Sequence, residues 1–332
     1  MSASELVDPF GRHINYLRIS VTDRCDFRCT YCMDEDVSFL PKNHILSLEE
    51  IALTAKTFIN MGVKRIRITG GEPLVRKNLL WLLESIASAD GLDELTITTN
   101  GSQLKKMGQS LYDAGVTRLN VSLDTLQTER FTQLTRRNKL QQVLEGIETI
   151  AGLPFPKTNK INSVVLKHYN DDEIIPLTQF ALNYNMDISF IEEMPLGLIT
   201  SHDRQITYLS SNEVLTKLKQ HYELSDSNEK TAGPSQYYKV ANTQNHIGLI
   251  SPHSHNFCGD CNRIRLTAEG RLLLCLGNEH SLELKPYIRN TNQDSLTLQE
   301  AIIKALALKP EKHHFNLTEE PQILRFMSAT GG

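Results

Sequence analysis

The sequence predicts an α/β fold of about six consecutive strand–helix units, followed by a C-terminal extension with a different pattern. Three observations carry this. Apolar, β-rich runs recur at residues 16–21, 65–69, 94–98, 118–123, 160–166 and 187–192. Longer amphipathic stretches separate them, and the alternation stops after Gly197. Strands that alternate with helices pair in parallel through right-handed crossovers. The count falls short of a closed eight-stranded barrel, so an open six-stranded barrel and a doubly wound sheet both satisfy it. Either architecture places a ligand beyond the C-terminal ends of the strands.

The first helix is the clearest element. In SLEEIALTAKTFINMG, the residues Leu48, Ile51, Ala52, Ala55, Phe58 and Ile59 share one face. Ser47 followed by Glu50 has the spacing of a capping box. Gly62, Gly91, Gly115 and Gly152 fall where helices or turns should end. Beyond Gly197 a helix is expected around 212–221, and the polar stretch SDSNEKTAGPSQ reads as a surface loop. Short strand-like runs follow at 237–240, 246–251, 263–267 and 271–276, then a helical region at 297–308. The expected division is therefore residues 1–200 and residues 201–332.

A chain of 332 residues can bury a sizeable core. Its net charge of −4 gives no global attraction to nucleic acid or to an acidic membrane surface. No apolar signal region opens the sequence, and no run reaches the length of a membrane span. A cytoplasmic location is expected, where thiols stay reduced and six cysteines argue for metal or redox chemistry over disulfides.

Those cysteines form two groups. Cys25, Cys29 and Cys32 make C-x3-C-x2-C, as CDFRCTYC, directly after the first strand. Cys258, Cys261 and Cys275 make C-x2-C-x13-C near the end, and the long stretch between the groups has none. Three thiolates ligate three irons of a cubane cluster and leave the fourth open to another ligand. Structural zinc is the alternative, and it demands a fourth ligand. His13 and His44 lack the spacing to complete the first group, whereas His253 or His255 would complete a Cys3His site at the second. Arg263 and Arg265, flanking Ile264, put two guanidiniums on one face of a strand, a geometry suited to phosphate oxygens.

The first motif, with Tyr31 as the aromatic before its last cysteine, and Gly70-Gly71-Glu72-Pro73 after the second strand resemble the radical S-adenosylmethionine (SAM) superfamily. FC-x2-CNR-x-R with its third cysteine is similar to the GTP 3′,8-cyclase family of molybdenum cofactor biosynthesis. So are PFGR…YLRISVTDRC, IRITGGEPL, TTNG, NVSLD, the K-x-N of the fifth strand and the terminal Gly-Gly. The resemblance runs nearly end to end.

It implies an incomplete (β/α)6 TIM-like barrel with a C-terminal cluster-binding extension, and two 4Fe–4S clusters. Cys25, Cys29 and Cys32 would hold the cluster that cleaves SAM. Cys258, Cys261 and Cys275 would hold one whose open iron meets guanine. The implied SAM contacts are Tyr31, Gly71, Ser122 and Met194. The implied GTP contacts are Arg18, Arg67, Thr98, Lys160, Arg263, Ile264 and Arg265. Arg18, Arg67 and Lys160 sit in apolar strand runs, where a charge is costly unless it faces an anion such as a triphosphate. The resemblance also implies a reducing electron donor, a homodimer, a downstream cyclic pyranopterin monophosphate synthase, and a Gly331–Gly332 tail that enters the active site. Two positions depart from the family pattern: Ser189 stands where an arginine is common, and Arg65 where a lysine is. The competing readings are another radical SAM enzyme with an auxiliary cluster, and a zinc-stabilised binding module.

Overall fold

The computed structural model describes residues 6–33, 36–197, 203–229, 231, 233–255, 257–289, 295–313, 315, 323 and 325–331. Its first part alternates as expected: β1 (Tyr16–Ser20), α1 (Leu48–Asn60), β2 (Arg65–Thr69), α2 (Leu79–Ala87), β3 (Glu94–Thr99) and α3 (Leu104–Asp113). It continues through β4 (Arg118–Ser122), α4 (Thr128–Thr135), α5 (Leu140–Ala151), β5 (Lys160–Val165), α6 (Ile174–Asn183) and β6 (Asp187–Glu192). The C-terminal part adds α7 (Arg204–Thr207), α8 (Ser211–Lys219), β7 (Leu224–Asp226), β8 (Gln236–Val240) and β9 (His246–Ile250). After these come β10 (Arg263–Leu266), β11 (Arg271–Leu273), β12 (Ser281–Glu283), α9 (Lys285–Arg289), α10 (Ser295–Leu306) and α11 (Met327–Thr330).

Among the described residues the strands form one open sheet, in the order β12-β11-β10-β1-β2-β3-β4-β5-β6-β9-β8-β7. The six-unit partial barrel is thus extended at both edges. β10 runs parallel to β1, β9 runs parallel to β6, and antiparallel strands continue outward from each.

Period-two alternation explains how these short strands serve both a core and a chamber. Leu17, Ile19, Ile66, Ile68, Ile97, Leu119, Val121 and Ile161 are fully buried in the apolar core between sheet and helices. Their neighbours Arg18, Arg67, Thr98, Asn120, Lys160, Asn162 and Ser189 point the other way, into a central cavity. A closed eight-stranded barrel fills its interior with branched apolar side chains. Here the interior is polar because the open barrel surrounds space for a ligand.

The expected cap of α1 is present: Glu50 N donates to Ser47 Oγ at 3.1 Å, and Ser47 N donates to the Glu50 carboxylate at 2.6 Å. A second capping box, Ser210 with Glu213, starts α8. One expectation holds only in part. The stretch read as a surface loop begins inside β7, and Thr231, Gly233, Pro234 and Ser235 line the central cavity. Ser225, Asp226, Asn228 and Glu229 in its first half are exposed to solvent, so the polar stretch serves both solvent and the chamber. No helix among the described residues is long and apolar enough to cross a membrane.

Phe58 is fully buried on the inner face of α1. Phe58→Ala should lower unfolding free energy by about 3–5 kcal/mol in chemical denaturation, and a loss below about 1 kcal/mol would contradict this packing.

Candidate active site

The cavity runs along the inner face of the parallel strands, from Tyr16, Lys160 and Arg263 at their starts to the first cysteine loop and the Gly70-Gly71 turn beyond their C-terminal ends. All six cysteines and every implied SAM or GTP contact line it. Both cysteine groups are there, as are Tyr31, Gly71, Ser122 and Met194. Arg18, Arg67, Thr98, Lys160, Arg263, Ile264 and Arg265 complete the set.

The first cysteine loop is strapped to its surroundings by its backbone. Arg28 N and Thr30 N donate to the Thr135 and Leu134 carbonyls at 2.9 Å each, and Phe27 packs edge-on against Phe131. Asp26 accepts from Asn100 Nδ2 at 2.8 Å and Ser102 Oγ at 2.7 Å. The Gly-Gly-Glu-Pro turn locks onto the same loop. Gly71 N donates to Thr22 O and Glu72 N to Arg24 O, both at 2.8 Å. A Cβ on Gly71 would stand 2.4 Å from the Arg24 carbonyl oxygen, so only glycine permits this approach. The Glu72 carboxyl then braces the next strand, accepting from Asn100 N at 2.6 Å and Thr99 Oγ1 at 2.8 Å. Tyr31 donates to Asp124 at 2.6 Å, and burial pushes Asp124 up to about 6.

This donor set fits an iron–sulfur cluster. Burial, with Glu72 second, pushes the Cys25 thiol up to about 12, and burial raises Cys29 well above its ordinary value. Bare, these groups stay neutral; they become thiolates only with a cationic partner, which ligated iron supplies. Among the described residues no three His, Cys, Asp or Glu side chains converge as they would on a single metal ion. In the second group Cys258 and Cys275 are also raised by burial. Cys261 behaves differently. Burial works to raise it, but Arg263 and then Lys309 bring it down to about 7.

The nucleotide-sized part of the cavity has a floor of cations. Arg18 is level with Arg265 on one side and Arg67 on the other, three arginines abreast on neighbouring parallel strands. Several of their contacts are to neutral groups. Arg67 Nε donates to Thr96 Oγ1 at 3.2 Å and lies over the Tyr16 ring; Lys160 donates to the Tyr237 hydroxyl. Arg265 Nη1 donates to the Gly331 carbonyl at 3.1 Å. Arg18 Nε is buried with no hydrogen-bond partner among the described residues, as are Thr98 Oγ1, Asn120 Oδ1 and Asn162 Oδ1. Arg118, by contrast, is matched by Glu94 at 2.7 Å. Burial, followed by Arg265, lowers Arg18 well below the usual arginine value, and burial with Arg263 lowers Arg265 to about 10. A row of crowded, desolvated cations and orphaned polar atoms is a site built for a polyanion.

Comparison with known proteins decides the family. The Radical SAM superfamily matches residues 19–181, and Molybdenum Cofactor Synthesis C matches residues 186–315. A GTP 3′,8-cyclase of Ectopseudomonas mendocina is 58% identical over 100% of both chains. GTP 3′,8-cyclase 2 of Pseudomonas aeruginosa is 55% identical, and the GTP 3′,8-cyclase of Saccharophagus degradans 54%, again over 100% of each chain. The chain belongs to the GTP 3′,8-cyclase family. In fold it is similar to Streptococcus suis SuiB bound to S-adenosylmethionine, with a TM-score of 0.58 and 18% identity over 85% of this chain and 63% of that one.

Within this family framework the two departures have distinct settings. Ser189 is fully buried on β6 opposite Gly248 of β9, and its Oγ lies 3.4 Å from that of Ser235. A Cβ on Gly248 would come within 2.5 Å of the Ser189 hydroxyl, so the space is closed by backbone and hydroxyls. Arg65 faces Glu94 at 3.8 Å and does not line the cavity. Gly331 sits with φ +79 against Thr69 and Ser20 at the ends of β1 and β2, which brings the tail to the cavity floor; Gly332 lies outside the described residues. Sequence reasoning passed over Asn120, Asn162, Asp124 and Tyr237, although NVSLD and K-x-N contain the first three. Their signal was the polar alternation within each strand.

In cluster-free protein at pH 7.5, iodoacetamide should label Cys261 well before Cys25. That preference should fade as pH falls below about 7 and Cys261 takes up its proton. Equal labelling rates by mass spectrometry would contradict the charge environment described.

Proposed function

We propose that this chain carries out GTP 3′,8-cyclisation in the single cavity that both cysteine groups and the arginine row share. That shared cavity is the observation that carries the reading. S-adenosylmethionine and two 4Fe–4S clusters are its cofactors. When bound, they supply a 5′-deoxyadenosyl radical that takes the ribose 3′-hydrogen of GTP, so that C3′ joins guanine C8. The product is (8S)-3′,8-cyclo-7,8-dihydroguanosine 5′-triphosphate, in the first step of molybdopterin biosynthesis.

The roles of individual residues are those the family resemblance implies, and their sharing one cavity supports them. Cys25, Cys29 and Cys32 hold the cluster that activates SAM, with Tyr31, Gly71, Ser122 and Met194 seating SAM around the strand ends. Cys258, Cys261 and Cys275 hold the cluster that receives guanine. Arg18, Arg67, Lys160, Arg263 and Arg265 take the triphosphate, with Thr98 and Ile264 shaping the nucleotide's seat. The guanidiniums supply bidentate donors to phosphate oxygens, and the anion relieves their mutual repulsion. Residues 1–200 form the radical SAM partial barrel, and residues 201–332 a C-terminal domain that adds the second cluster and further GTP-binding elements. The second part covers the cavity, which keeps water and stray C–H groups from the reacting carbon. A cytosolic homodimer, reduced by a one-electron donor and supplying a cyclic pyranopterin monophosphate synthase, completes the reading.

Anaerobic incubation of the reconstituted protein with SAM, dithionite and GTP should yield 5′-deoxyadenosine and the cyclised nucleotide. Absence of both, with roughly eight irons bound per chain, would reject the reading. Cys275→Ala should keep reductive SAM cleavage but lose cyclised product, and normal turnover by that variant would overturn the role of the second cysteine group.

A further inference from the structure

The segment after α10 turns back beneath the second cysteine group, and it carries a buried cation. Lys309 is only 3% exposed. Its Nζ donates to the Leu274 carbonyl at 2.6 Å and the Arg263 carbonyl at 3.0 Å, and lies 3.7 Å from Cys261 Sγ. An ammonium has three protons; two are taken by carbonyls and the third is directed at sulfur. Leu274 precedes Cys275 and Arg263 follows Cys261 by two residues, so one side chain ties together the arms that carry two of the three thiols.

The segment is held there firmly. Arg12 Nη1 donates to the Cys258 carbonyl at 2.7 Å and the Glu311 carbonyl at 2.6 Å, and Nη2 to the Pro310 carbonyl at 2.7 Å. Asp8 fixes the same guanidinium through Nε at 2.6 Å. At the far end of the segment, His313 N donates to Cys258 Sγ at 3.4 Å. Residues 309–313 therefore bring N–H groups to two of the three sulfurs. Joining two carbonyls does not require a full charge, and burying one is costly without a negative partner. The sulfur side is where that negative charge would reside.

We propose that Lys309 is a positioning residue for the second cluster, its fixed charge beside Cys261 favouring the cluster's more negative, reduced state. The proposal rests on the two-cluster reading given above. A cation and an N–H donor at a cluster sulfur raise its reduction potential, because reduction adds negative charge that they stabilise.

The test is a potentiometric titration of the reconstituted full-length protein, followed by electron paramagnetic resonance, with iron counted per chain. SAM is added to mark the signal of the first cluster. Lys309→Met and Lys309→Gln should both shift the second cluster's midpoint to more negative potential and leave the first cluster's unchanged, while Lys309→Arg returns it toward wild type. An unmoved second midpoint in either neutral variant that retains its iron would overturn the proposal. So would loss of the second cluster's iron from all three variants, which marks a purely structural clasp. If wild-type protein binds no second cluster, the two-cluster reading itself fails, and this proposal falls with it.

Discussion

Three arginines abreast on adjacent parallel strands are the constraint on which the rest of this structure depends. Arg265, Arg18 and Arg67 share one level of the sheet, and desolvation and mutual repulsion both disfavour their charge. Such a row persists only if the fold offsets its cost locally and a ligand completes the compensation. The local part is visible: the Tyr16 ring under Arg67, the Thr96 hydroxyl, and the Gly331 carbonyl on Arg265. The remainder, including the unpartnered Arg18 Nε, is left for an anion.

Sheet order makes the row possible. The chain places β10 beside β1, although well over two hundred residues separate them in sequence. That pairing brings Arg263 and Arg265 into register with Tyr16 and Arg18, and it carries Cys258 and Cys261 to the mouth of the same cavity that the first cysteine loop borders. One long-range parallel pairing therefore brings the arginine row and both cysteine groups to one cavity. The extension is a structural part of the barrel's edge as well as its cover.

Much of this was legible in the sequence, for physical reasons. RIRIT shows period-two alternation with charges on one face, and the capping box at Ser47 and Glu50 marks where α1 begins. The cysteine spacings restrict the chemistry because three local thiolates suit a cubane cluster with one open iron, whereas structural zinc needs a fourth ligand. What escaped was long-range. Nothing local announces that Thr231, Gly233, Pro234 and Ser235 line the cavity, since their composition suits solvent and a polar chamber equally well. Lys309 and His313 look like surface residues after a helix until Arg12, almost three hundred residues earlier, pins their segment beneath Cys258. Asn120 and Asn162 were hidden in strands whose apolar partners dominate the pattern.

The central claim is that the cation row exists to hold a triphosphate. Calorimetric titration of the oxidised two-cluster protein with GTP, GDP, GMP and guanosine, at several salt concentrations, tests it most directly. Affinity should fall at each phosphate removed, and the GTP value should weaken most steeply with salt. Guanosine binding as tightly as GTP would contradict the account.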